Sequence, residues 1–342
     1  MATGSRRVII LEELTAVVLL TLMGAAAIGV ARQRNLYGVV LLGGIYSFLM
    51  ATVMVVLDAV DVAMTEAAVG AGISTVLLFG AIHLTGGTES KPIHRPWLPL
   101  FVVTVTGAML VYGTLGLPAF SDPKAPIHQH VAPRYLKEGP EKTGVPNVVT
   151  VVLASYRGFD TLGETFVVFT AGIGVIALLR RRNPRRLRNS EREGGAVMRL
   201  DIILRVIAKL LIPFALVFGL YVQFHGDYGP GGGFQAGVIV AAAVIFYALI
   251  YGLPAARRVV PDALVEFLLA FGVLLYSGVG IASLLLGGNF LDYFVLGADP
   301  ISGQHRGIFW VEAGVLITVA AVMLKIFYVF AARKRDAGEA GQ

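Results

Sequence analysis

The stretch LYGVVLLGGIYSFLMATVMVVL runs from Leu36 to Leu57 without one charged side chain. A helix of about 20 residues crosses the roughly 30 Å hydrocarbon core of a bilayer. The chain repeats such blocks along its whole length. It is 56% hydrophobic and 15% charged, where a soluble domain carries about 25% charged residues. A soluble core of this size could not hide that much apolar surface. The blocks do not alternate apolar with polar residues, as the strands of a transmembrane barrel do. The chain therefore reads as an all-α integral membrane protein.

Nine spans are expected, at about 9–31, 36–57, 62–84, 97–117, 159–179, 200–223, 234–253, 263–287 and 307–330. A signal peptide is the other reading of the first block, but Glu12 and Glu13 interrupt its start, so a retained span is favoured. Orientation follows from the basic residues. One set of loops holds Arg32, Arg34, Lys91, Arg95, the run Arg180–Arg192, Arg257, Arg258 and the tail Arg333–Arg335. The opposite set holds fewer: Arg6, Arg7, Lys124, Arg134, Lys137 and Lys142. The positive-inside rule then puts the N-terminus outside and the C-terminus in the cytoplasm. The net charge of +6 belongs to those loops. Basic residues scattered between spans do not make a nucleic-acid surface.

The segment RRRNPRRLRNSEREGG at 180–195 reads as a basic cytoplasmic linker. It divides the chain into a five-span half, 1–179, and a four-span half, 196–342. The outer segment 118–146 is rich in proline and reads as a loop, in which His128 and His130 are solvated rather than metal-bound. The stretch NVVTVVLASY after Pro146 reads as a short amphipathic or re-entrant helix. The chain has no cysteine, which removes disulfides, thiolate iron–sulfur ligation and Cys-based zinc sites. Neither a metal motif nor a cofactor fingerprint is visible, and no cofactor or enzyme active site is expected.

Charges inside spans point to function because each costs about 2.5–3.5 kcal/mol near the membrane centre on insertion scales. Near a span end they also snorkel or cap helices. Span three opens DVAMTEAAVGAG. Asp61 is placed to cap it, while Glu66 lies a turn deeper beside Gly70 and Gly72, which loosen the helix or allow a bulge. In span five, Arg157, Asp160 and Glu164 share one helix face. Asp160 is placed to pair with Arg157, and Glu164 is the deeper acid. In span six, Asp201, Arg205 and Lys209 form a stripe, with Lys209 about 12 Å beyond Asp201 at 1.5 Å per residue. Pro213 cannot donate to the carbonyl of residue 209, so the helix is weakened there. Glu312 sits a turn inside span nine. Lys325 is expected to snorkel, and Asp262 to cap span eight.

Between spans six and seven lies HGDYGPGGGFQAG, from His225 to Gly237. Pro230 stiffens the turn, and Gly231, Gly232, Gly233 and Gly237 permit close backbone approach. Phe234 starts span seven. Irregular backbone near a membrane is tolerated only under protein cover or beside water. The segment is therefore expected to pack under neighbours or line a wet entrance, its free N–H groups favouring an anion or an acidic side chain. It is not a nucleotide phosphate loop, since neither GKS nor GKT follows and no strand precedes it.

With these motifs in view, LRVIAKLLIPFALVFGLYVQFHGDYGPGGGFQAGVIVAA resembles the B subunit of Mrp-type multisubunit sodium/proton antiporters, over roughly 196–335. The motifs DVAMTEAAVGAG and YRGFDTLGETFVVFTAG resemble the segment at the carboxyl end of the large Mrp A subunit. That segment also resembles small subunits of membrane-bound hydrogenases. The many-helix, antiporter-like core that precedes it in the usual arrangement is absent from this chain. The resemblance implies a subunit of a sodium (or other monovalent cation)/proton antiporter in a prokaryotic cell membrane. Its partners would be the remaining Mrp-type subunits, including the large core subunit, together with lipid. By the resemblance Glu66 matches an acid proposed to lie on the ion route, joined here by Asp61, Asp160, Glu164, Lys209 and Glu312. A rival class is a membrane subunit of a redox-driven complex, and a third is a scaffold.

Overall fold

Each uncharged block becomes a helix because in hydrocarbon the backbone must satisfy its own hydrogen bonds. The computed structural model describes residues 2–89, 97–119, 122–179 and 202–332. The basic linker 180–195, Lys91, Arg95, Asp201 and the tail from Arg333 lie outside the described residues, as do the side chains of Arg6 and Arg7. Among the described residues nine helices are long and apolar enough to cross a membrane. They are α1 (Ala2–Arg32), α2 (Leu36–Val56), a composite third span, α5 (Trp97–Thr114), α9 (Gly158–Leu179), α10 (Ile202–His225), α11 (Gly233–Tyr251), α13 (Asp262–Leu285) and α14 (Pro300–Ala331). The third span is α3 (Val60–Glu66), a π-helical stretch Ala67–Ile73 and α4 (Ser74–Thr85). The bulge expected beside Gly70 and Gly72 is therefore a full π-helical segment. A short helix, α12 (Leu253–Val259), links α11 to α13.

The last span organises the rest. Helix α14 packs against α13, α11 and α9, and also against α4. It thus joins the four-span half to the five-span half. Small residues set how closely it is approached. Gly272 of α13 faces Gly314, where an added methyl would stand 2.7 Å from the Gly314 carbonyl oxygen. Gly237 of α11 crosses α14 at Leu316, with only 2.7 Å for such a methyl before the Leu316 oxygen. Between lipid-embedded helices, packing of this kind replaces the hydrophobic drive. Tyr276, Ile308 and Tyr328 are fully buried in the resulting core. At the other extreme, α5 has no buried residue, and α1 is exposed along most of its length.

Four expectations need correction. Residues 118–146 are not a plain loop: they contain α6 (Pro126–Gln129) and α7 (Ala132–Thr143). A proline in the first turn costs nothing there, Glu138 bridges Arg134 and Lys142 at 3.6 and 2.6 Å, and Gly144 ends the helix with φ +73°. Span nine begins two turns early, because the Asp299 carboxylate accepts a hydrogen bond from the Ser302 amide at 2.9 Å and Pro300 follows it. Lys325 does not snorkel. It is buried and bonds Glu266 at 2.7 Å and Asp262 at 3.1 Å. Asp262 makes no cap and also pairs with Arg257 of α12 at 2.9 Å.

Two glycines of α13 test the crossing. Gly272→Ala should lower stability by about 1–3 kcal/mol, the usual cost of overpacking. Gly278→Ala meets nothing within 4 Å and should stay within about 1 kcal/mol of the parent. Thermal unfolding of both variants in detergent or nanodiscs measures the contrast.

Candidate functional site

The glycine turn closes one end of the bundle, hereafter the turn end. Helix α10 runs to His225, the chain reverses through Gly226–Gly232, and α11 begins at Gly233. Gly232 takes φ +110°, a conformation that a side chain would oppose. Glycine at 233 meets a second demand: a methyl group there would run into the backbone carbonyl of Glu312. Because α11 crosses α14 this closely, the Glu312 carboxylate lies beneath the turn. Methyl groups placed on Gly226 and Gly232 would each stand 3.3 Å from one of its oxygens.

The five-span half supplies the other side. Asp61, in the first turn of α3, is not a cap. Its carboxylate accepts hydrogen bonds from the Gly231 amide at 3.2 Å and from the Asn147 side chain at 3.4 Å. Asn147 carries the arrangement further. Its amide nitrogen also donates to the carbonyls of Gly226 and Gly229, at 3.0 and 2.9 Å. Its oxygen caps the short helix α8 (Val148–Thr150) by accepting from the Val149 amide. Thr150 donates a 2.6 Å bond to the Gly226 oxygen. Gln235 of α11 donates to the Thr65 hydroxyl at 2.7 Å. The irregular backbone of the turn is therefore covered by protein and meets an acid from each half.

Under the turn is a cavity of ≈ 580 Å³. Asp61, Glu164, Glu312, Gln235 and Tyr276 line it, together with Gly231–Gly233, and its remaining wall is mainly valine and threonine. Glu312 is half-buried, and Glu164 is exposed at the open side. Two partly buried carboxylates, Asp61 and Glu312, and the exposed Glu164 thus share one cavity.

Other residues singled out from the sequence fall elsewhere. Asp160 pairs with Arg157 at 2.5 Å on the exposed surface. Glu66 faces α2, where a methyl on Gly70 would stand 2.5 Å from both its carboxylate and the Ser47 hydroxyl. Lys209 is exposed on α10, away from the cavity, and α10 continues unbroken through Pro213. Sequence reasoning missed Asn147, Thr150, Thr65 and Gln235. The pair Pro146–Asn147 is a helix-start signal that could have pointed to the first.

Known proteins share parts of this chain. Residues 203–325 match the model of a domain related to the MnhB subunit of Na+/H+ antiporters. Residues 21–86 match the MbhD family model and 102–192 the MbhE model, both of MBH subunits. A putative antiporter subunit mnhB2 of Staphylococcus aureus (strain Newman) is 33% identical over 131 residues, covering 37% of this chain and 91% of that protein. The chain belongs to the MnhB family of antiporter subunits. Family membership rests on the four-span half. A longer likeness reaches into both halves: a probable K(+)/H(+) antiporter A/B subunit of Rhizobium meliloti (strain 1021) is 28% identical over 308 residues. That match takes in 82% of this chain but 30% of the relative's length. The fold is that of a chain in the Mrp complex from Dietzia sp. DQ12-45-1b, with a TM-score of 0.72, 23% identity, and coverage of 98% of this chain and 39% of that one. A chain of the membrane-bound sulfane sulfur reductase, an archaeal respiratory membrane complex, aligns with a TM-score of 0.53 and 27% identity, covering 69% of this chain and 97% of that one.

Asn147 donates to two carbonyls of this antiporter-family turn, those of Gly226 and Gly229. Asn147→Ala removes the donor to the part-buried Gly229 carbonyl and one of the two donors to Gly226, which keeps Thr150, a loss of about 1–3 kcal/mol. Hydrogen–deuterium exchange should then quicken at 226–233 and stay unchanged in α13.

Proposed function

We propose that this chain is a membrane subunit of a multisubunit monovalent cation/proton antiporter. In this reading the cavity beneath the glycine turn is part of the ion or proton route. The observation that carries it is the convergence of Asp61, Glu164 and Glu312 on one cavity, in a chain whose relatives are antiporter subunits. Carboxylates kept among spans are costly unless they have work to do. Here they come from α3, α9 and α14, so that both halves of the chain build the site.

Glu312 is the central acid of the proposal. It is held where α11 crosses α14, and the turn's glycines leave room for its oxygens. Asp61 ties the turn to the five-span half, and Glu164 stands at the open side. Gln235 and Thr65 offer neutral oxygens, a suitable set for a partly dehydrated cation. The names of the relatives include both potassium and sodium, and the proposal extends to monovalent cations generally. Glu66, Asp160 and Lys209 lie outside the cavity, and any part they play runs along surfaces toward neighbouring subunits. Those neighbours would include a large antiporter-like core subunit, since this chain spans under a third of the A/B relative. The setting would be a prokaryotic cell membrane, with 180–195 joining the halves on the cytoplasmic side.

The likeness to the sulfane sulfur reductase chain supports one second reading, a membrane subunit of a redox-driven complex. The partners decide between them. Soluble subunits with cluster-ligating cysteines in the purified complex would favour the redox reading.

The proposal is tested in the assembled complex by Glu312→Gln, which keeps the shape and removes the charge. Cation/proton exchange in vesicles should fall by roughly 10²-fold or more, the scale for loss of a proton-transferring group, with all subunits still co-purifying. Unchanged exchange would reduce the cavity to support.

A further inference from the structure

A second cavity, of ≈ 270 Å³, lies at the turn end beside α7. Its character differs from the first. Arg134, Lys142, Thr143, Ser155, Asp292 and Gln304 contribute to its lining. Gln304 is 2% exposed and Thr143 is 1% exposed, yet both present polar groups there. The Tyr156 hydroxyl, which also belongs to this wall, is buried and has no partner among the described residues. Thr143 and the Gln304 oxygen are bonded within the protein, which leaves the Tyr156 hydroxyl as the group for water to satisfy. The charged rim holds Arg134, Lys142 and Asp292. Lys142 bonds Glu138 and holds its carboxyl below the usual range, and Arg134 shares the same acid.

The two cavities are separated by a single short element. Helix α8 runs into a π-helical segment, Val151–Tyr156. Leu153 and Ala154 line the carboxylate cavity, while Ser155 and Tyr156 line the polar one. A π-helix is uncommon and short-lived in sequence, because its wider turn packs less well than an α-helix. This one is held by side chains at its ends. Thr150 bonds the turn at 2.6 Å, Ser155 donates to Gln304 at 2.7 Å, and Thr161 donates to the Leu153 carbonyl at 2.8 Å. Val151 and Ala154 anchor the segment in the core, whereas Ser155 and Tyr156 are only partly buried, and exchanging those few bonds for water would let that side of it shift.

We infer that the polar cavity is a water-filled entrance chamber for small hydrated cations, and that Val151–Tyr156 is the movable partition between it and the carboxylate cavity. The inference rests on the transport reading for its purpose but not for its first test. Neutral oxygens of Thr143, Ser155, Tyr156 and Gln304 replace hydration water one at a time without trapping the ion. The acids lie one helical layer further on.

The cysteine-free chain makes the test direct. Ser155→Cys and Ala154→Cys are adjacent in sequence and lie on opposite sides of the partition. In the assembled complex, a membrane-impermeant quaternary-ammonium thiosulfonate applied at the turn end should modify Ser155→Cys at least roughly tenfold faster than Ala154→Cys, as accessibility dictates. Equal rates, or an unreactive Ser155→Cys, would overturn the chamber whatever the complex transports. Movement is tested by a staple. A β-carbon on Gly139 of α7 would lie 3.9 Å from that of Val151, within the range for a disulfide. Oxidised Gly139→Cys/Val151→Cys should lose at least about tenfold in exchange rate relative to the same double variant kept reduced and recover on reduction. Full activity of the oxidised form, with the bond verified by mass spectrometry, would overturn a moving partition. If labelling behaves as expected but Glu312→Gln exchanges normally, the proposed function fails and the chamber stands.

Discussion

The close crossing of α11 over α14 is the contact on which the rest of the site depends. Glycine at 233 and 237 brings one backbone against the other. Only then does Glu312 lie beneath the turn, and only then is the turn near enough to the five-span half for Asp61 and Asn147 to hold it. A side chain at either glycine would push α11 outward, and both the cover of the turn and the cavity under it would go. In lipid, where helix faces gain little from apolar contact alone, such steric fit is the main source of specificity.

The two halves are therefore coupled by polar contacts as well as by packing. Asn147 spans from α8 to the turn, Gln235 reaches Thr65, and Ser155 reaches Gln304. Each of these bonds joins residues far apart in sequence. At the opposite end, Lys325 is neutralised by Asp262 and Glu266. Its charge is thereby accounted for within this chain and needs no partner subunit. The surfaces left over are large and apolar. Along α5 and α10 most large side chains are exposed, as suits contact with lipid or neighbouring subunits.

Much of this was legible in the sequence. Uncharged blocks of span length located the nine helices, because hydrocarbon permits few alternatives. Gly70 and Gly72 marked the π-helical stretch, and the free N–H groups of the glycine turn pointed to an acidic side chain there. What stayed hidden depended on tertiary partners. Lys325 looked like a snorkelling residue until α13 brought two acids to it. Asp61 had the spacing of a cap but is used by a turn far along the chain. Lys209 looked deep along the helix axis, but depth does not fix which way a residue faces, and α10 turns it outward. The proline count hid α7, which holds Pro133 in its first turn and Pro140 within it, beside the ladder of Arg134, Glu138 and Lys142.

The central claim is that Glu312 lies in a cavity that both halves build and that a cation can occupy. A hydrophobic carbodiimide reacts with a protonated carboxyl in apolar surroundings, and peptide mass spectrometry of the treated complex locates the adduct. The expected result is modification at Glu312 that sodium or potassium ions suppress. An unmodified Glu312, or labelling indifferent to either cation, would contradict the claim.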